Sequence, residues 1–128
     1  MHEPLVSARP LLPPLRELAA AYHEAVARVE ALIAALTTGD FAAVQGAIAA
    51  QTATAARITR SGRQWEAARD ELSVALRAHG LLASDEAPTV SDLLLVLPPD
   101  DADALRTARR DVLAAVLRLQ VIAYKLRF

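Results

Sequence analysis

Apolar residues recur at alternating three- and four-residue intervals through most of this chain. The longest such run lies between Asp40 and His79, with Phe41, Val44, Ile48, Gln51, Ala55, Ile58, Gly62, Trp65, Arg69, Leu72, Leu76 and His79 in register. Spacing of this kind predicts one helix of about forty residues, roughly 60 Å long at ~1.5 Å per residue, with another helix laid along its seam. Gln51, Gly62, Arg69 and His79 interrupt the seam, which points to a bundle helix with a partly committed face rather than a regular coiled coil.

A second run precedes it: Leu15, Leu18, Tyr22, Ala25, Val29, Leu32 and Leu36, widened by Val26 and Ile33. This predicts an amphipathic helix over about 14–37. Glu24 and Arg28 stand at the favourable i,i+4 spacing on another of its faces. Gly39 ends the helix and Asp40 caps the next. So short a connection makes the two helices an antiparallel hairpin. The long helix outruns the first, so its far half, Trp65 to His79, needs a further partner. Gly80 ends it, with Leu81 and Leu82 folding back.

Residues 83–90 read as a loop. Thr89 or Ser91 then caps a short helix at about 91–97, closed by Pro98-Pro99, whose Leu93, Leu94, Val96 and Leu97 form a plug for one end of the bundle. The last helix spans about 100–127. One stripe is Leu105, Val112, Ala115, Leu119, Ile122 and Leu126; Leu113, Val116, Leu117 and Val121 broaden it to nearly half the circumference. That is more apolar surface than the hairpin covers, and the excess is a candidate binding surface. The pattern stops at Phe128 without a cap, so the helix either frays there or continues in a longer natural chain. Pro4, Pro10, Pro13 and Pro14 keep residues 1–13 out of a long helix and make them a leader. The fold class is therefore all-α: one helical-bundle domain over 14–128.

Composition fits this picture. Of the 128 residues, 54% are hydrophobic but only 4% aromatic, because alanine carries the difference. Alanine has the highest helix propensity and lets helices pack closely. With no cysteine, disulfides and thiol chemistry are excluded. Met1 to Pro14 lacks the apolar core of a signal peptide, and no run is apolar enough to span a membrane, so a cytoplasmic protein is expected. Net charge is −1 but unevenly placed. Residues 81–104 carry six acids and no base, whereas 105–128 carry Arg106, Arg109, Arg110, Arg118, Lys125 and Arg127 against Asp111. Complementarity to helix dipoles and solvated faces accounts for most of this. A nucleic-acid surface using these residues with Arg57, Arg60 and Arg63 is disfavoured, because no aromatic stacking set accompanies them.

Catalytic patterns are missing. His2, His23 and His79 lie far apart, no Glu-x-x-His or His-Glu-x-x-His occurs, and the four glycines form no phosphate loop. Ser61 and Ser73 have no neighbouring base. No catalytic residue, metal site, cofactor or small-molecule substrate is expected, and Trp65 reads as a core anchor.

The order of these elements resembles the flagellar export chaperone FlgN family. The resemblance spans roughly Leu15 to Leu126 and rests on "VEALIAALTTGDFAAV", "RITRSGRQWEAARDEL", "LRAHGL", "TVSDLLLVLP" and the final amphipathic helix. The chain departs from the family at Gln51, where a lysine is usual, and in "LQVIAYKLRF", where Gln120 is the nearest amide to a customary asparagine pair. The resemblance implies a cytoplasmic type III export chaperone. Such a protein binds the C-terminal helices of hook-associated (hook–filament junction) proteins, keeps them unpolymerised and delivers them to the export gate. The implied partner-binding residues are Leu113, Val116, Leu117, Val121, Tyr124 and Leu126, presented to a client helix in place of its own self-association. A self-associating homodimeric bundle without a client is the alternative, with a nucleic-acid-binding regulator behind it.

Overall fold

The computed structural model describes residues 7–82 and 88–126. The first part of the leader, most of the 83–90 loop, His2 and the final two residues lie outside the described residues. Four helices follow a short 3-10 turn at Arg9–Leu11: α1 (Leu12–Thr38), α2 (Phe41–Ala78), α3 (Val90–Val96) and α4 (Pro99–Tyr124). No strand occurs among the described residues. The all-α hairpin and bundle expected from the heptad spacing is the observed architecture.

Local chemistry sets each boundary. Pro13 and Pro14 sit in the first turn of α1, where no intrahelical donor is needed, so that helix begins two residues before the predicted start. At its end Gly39 takes φ 73°, a left-handed conformation that strains any side chain bearing Cβ. Asp40 then caps α2, its Oδ1 accepting from the Ala43 amide at 3.1 Å. The far end of α2 closes the same way. Gly80, at φ 71°, donates to the Arg77 carbonyl at 3.0 Å, while the Leu81 amide donates to the Leu76 carbonyl at 2.9 Å. That paired arrangement satisfies carbonyls the helix leaves open. Thr89 caps α3 in a reciprocal box: its hydroxyl accepts from the Asp92 amide at 3.2 Å, and Asp92 accepts from the Thr89 amide at 2.9 Å. Thr89, rather than Ser91, is thus the cap.

The dense core lies at one end. Ala8, Leu11 and Leu15 from the N-terminal side meet Leu72 and Leu76 of α2, Leu93 and Leu97 around α3, and Ala102, Leu105 and Ala108 of α4. This cluster supplies the partner that the overhanging half of α2 requires, and α3 covers that end as the leucine pattern predicts. The end of the leader is part of the core rather than free. Asp101, in the first turn of α4, accepts from the Ala8 amide at 3.0 Å and holds it there.

Along the rest of the bundle α1 is the shared partner. It packs on α2 and on α4, whereas those two make almost no direct contact. Leu105 shares the closed-end cluster with Leu15, and Arg118 reaches Glu30, so α4 runs parallel to α1.

One row of the α2 seam follows the heptad prediction, with Val44, Gln51, Ile58 and Trp65 half-buried and Leu72 buried; the other, buried at Leu76, is elsewhere displaced by one residue. Thr54, Ser61 and Ser73 are buried, Ala55 is exposed, and Phe41 and Ile48 project into solvent. Small side chains allow the α1 and α2 backbones to approach, which outweighs the greater apolar area of the adjacent row. Two of these hydroxyls are satisfied inside the helix: Thr54 donates to the Ala50 carbonyl at 3.0 Å and Ser73 to the Arg69 carbonyl at 2.8 Å. Trp65 is half-buried and packs against the core cluster, as its place on the seam suggests.

Leu76→Ala and Leu105→Ala, both at fully buried positions, should each lower stability by about 2–5 kcal/mol in urea titrations. Ile48→Ala, on the exposed row, should change it by less than about 0.5 kcal/mol.

Candidate partner-binding face of the last helix

The inward face of α4 is made by Leu105, Ala108 and Ala115, which are buried, with Val112, Leu119, Ile122 and Leu126 half-buried beside them. Helical spacing puts a second row on the opposite side: Leu113, Leu117, Val121 and Tyr124 at successive intervals of four, four and three. These residues are 54%, 61%, 60% and 70% exposed. A contiguous apolar row this open on a folded helix is the strongest sign of an interaction surface in the molecule. Val116 and Leu126, the other two residues expected to bind a partner, are half-buried and turn toward the bundle. The structure therefore assembles four of the six into one solvent-facing stripe.

Arg106 and Arg110 lie two turns and one turn before Leu113 on the same line, with Arg109 on one flank and Arg118 and Lys125 on the other. Two of these cations have acidic neighbours. Arg106 donates to Asp103 at 2.7 Å, and Arg118 lies 3.7 Å from Glu30 on α1. Both pairs are exposed, so each holds its partners weakly. Where α4 meets α1, Ile33, Val121 and Ile122 floor a cleft of about 390 Å³ rimmed by Glu30, Arg118 and Lys125. Sequence spacing identifies the stripe but not this cleft, because Ile33 is more than eighty positions away in the chain.

The proposed basic row on α2 is broken by pairing. Arg57 bridges two acids one helix away, its Nε 2.6 Å from Glu17 Oε1 and its Nη1 3.2 Å from Glu24 Oε2. The planar guanidinium suits this double role, as an ammonium would not. Hydrogen bonding to Arg57 holds both carboxyls below the ordinary glutamate range and drives the guanidinium further toward its charged form. Glu24 also pairs with Arg28 at 3.5 Å, the contact expected from their spacing. Arg60 and Arg63 remain exposed on the outer face of α2.

In comparisons with known proteins, no family model, curated protein or solved structure matches the chain. Among the described residues no cluster of three or more His, Cys, Asp or Glu could hold a metal ion. Ser61 and Ser73 are buried, and His23 on α1 and His79, just after α2, are exposed. No helix among those described is long and apolar enough to cross a membrane.

The Arg57 bridge makes a pH-dependent prediction. Carboxyls held below their ordinary range stabilise the fold above that range, and the gain disappears as pH falls through their lowered values. Arg57→Met should therefore reduce the urea midpoint at pH 7. Parent and variant should converge in acid, and a gap that persists or widens there would contradict the assignment.

Proposed function

We propose that this protein is a cytoplasmic export chaperone of the flagellar, FlgN-like kind. It holds a C-terminal amphipathic helix of a hook-associated protein against α4, blocks that client's polymerisation and presents it to the export apparatus. The observation that carries the reading is the open row Leu113, Leu117, Val121 and Tyr124 on a helix whose other side is already packed. The order of elements supports it: a hairpin closed by Gly39-Asp40, a capped leucine-rich short helix and a long amphipathic final helix.

The physical role is simple substitution. A client helix that would bury its apolar face against its own kind buries it on α4 instead. Such binding requires an exposed stripe on a support, and α1 provides that support by packing along α4, with Ile33 beside Val121 and Ile122. No group on this face is arranged for bond-making chemistry, so recognition is the activity proposed.

A self-associating bundle is the second reading. It is favoured by Phe41, 73% exposed, and Ile48 one heptad later, on a part of α2 where Asp40 is the last charge before Arg57. Two hairpins could bury these rows against each other.

The deciding experiment uses purified hook-associated proteins from the source organism, with and without their C-terminal helices. The parent should form a soluble complex only with the full-length clients and suppress their polymerisation. Leu117→Asp with Val121→Asp should weaken binding roughly hundredfold, as loss of two central apolar contacts does. Failure to bind any client, together with a dimer in light scattering that Phe41→Ser and Ile48→Ser dissociate, would favour the self-associating bundle.

A further inference from the structure

The stripe on α4 has a sign as well as a shape. From Arg106 to Lys125 the helix carries five cations, and Asp111 is its only acid. Asp111 lies two turns before Arg118 on the same flank, where it lines a small recess against α1 with Arg16, Asp103 and Thr107. The cations border the apolar row: Arg106 and Arg110 at its head, Arg109 on one flank, Arg118 and Lys125 on the other. Arg109, Arg110 and Lys125 make no ion pair among the described residues.

We infer that the occupant of this face is an amphipathic helix whose apolar stripe is bordered by carboxylates. The inference rests on the docking role proposed for α4 and adds the partner's charge. Carboxylates placed beside Arg109, Arg110 and Lys125 meet cations that make no ion pair among the described residues, which aids encounter and fixes the direction in which the helix lies. The cleft floored by Ile33, Val121 and Ile122 receives one of its projecting side chains, with Lys125, Arg118 and the Glu30 that Arg118 faces at the rim.

The same charges argue against other occupants. Two copies of α4 laid together repel in either orientation. Parallel packing sets Arg106 and Arg110, on the line of the row, beside their own counterparts, and antiparallel packing about Leu117 brings the two copies of Arg118 together on one flank. A nucleic-acid backbone would place phosphates over Leu113, Leu117 and Val121. An anionic bilayer would accept the basic rim, but its flat surface leaves the cleft between α1 and α4 unfilled, whereas a helix side chain enters it.

The test uses two synthetic helices with one leucine stripe, flanked by glutamates in the first and by lysines in the second, titrated by fluorescence anisotropy. The glutamate peptide should bind at least roughly tenfold more tightly than the lysine peptide at low salt, a preference that shrinks as salt is added. A charge-reversed variant, Arg109→Glu with Arg110→Glu and Lys125→Glu, should invert the order while keeping the parent's helical circular dichroism. Equal binding of both peptides, lost in the Leu117→Asp, Val121→Asp variant, would overturn the charge inference and leave the docking role standing. Binding of neither peptide would overturn both. Partition onto anionic vesicles without peptide binding, or a parent dimer that the Asp variant dissociates, would replace the acidic helix by a membrane or a second copy.

Discussion

The structure depends on α1 being shared. A helix in a four-helix bundle normally buries its stripe between two neighbours. Here α2 and α4 each have α1 along most of their length and almost nothing of each other. Both carry apolar rows wider than one neighbour can cover. The surplus therefore emerges as Phe41 and Ile48 on α2, and as Leu113, Leu117, Val121 and Tyr124 on α4. The exposed surface is a consequence of helix count, not of local disorder in the pattern.

Two devices make this arrangement stable despite the missing neighbour. At one end the leader, α3 and the first turns of α4 gather around Leu72 and Leu76, so the overhanging half of α2 is enclosed. Along the hairpin, buried Thr54 and Ser61 bring α2 close to α1, and Arg57 bridges Glu17 and Glu24 beside that contact. The bundle is thus closed at one end and open at the other. Its open end exposes α4 on a rigid backing, which is the geometry a helix-capturing protein needs.

Charge gives this exposed face a direction. Arg57 is committed to holding the hairpin, and Arg106 has Asp103 at hand, but Arg109, Arg110 and Lys125 border the apolar row without acidic partners. A cation is seldom free on the rim of an apolar surface without consequence for what can lie there. The combination selects against the chain's own last helix and in favour of an acidic amphipathic one.

Elements and boundaries were legible from local code. Gly39-Asp40, Gly80, Thr89 and Pro98-Pro99 each act within a few residues, so the helices they start or stop appear in the sequence within about two positions. The outward row of α4 was legible too, because its period of 3.6 needs no knowledge of the partner. The choice of one of the two seam rows on α2 was not. Adjacent rows differ by only 100° of rotation, and the better apolar row, with Phe41, Ile48 and Ala55, lost to one holding Thr54 and Ser61. Close backbone approach decided that, and it exists only once α1 is in place; the Thr54 hydroxyl is satisfied within α2 itself. The Arg57 bridge, the Asp101 hold on Ala8 and the cleft between Ile33 and Val121 likewise join residues dozens of positions apart, so they belong to the tertiary structure alone.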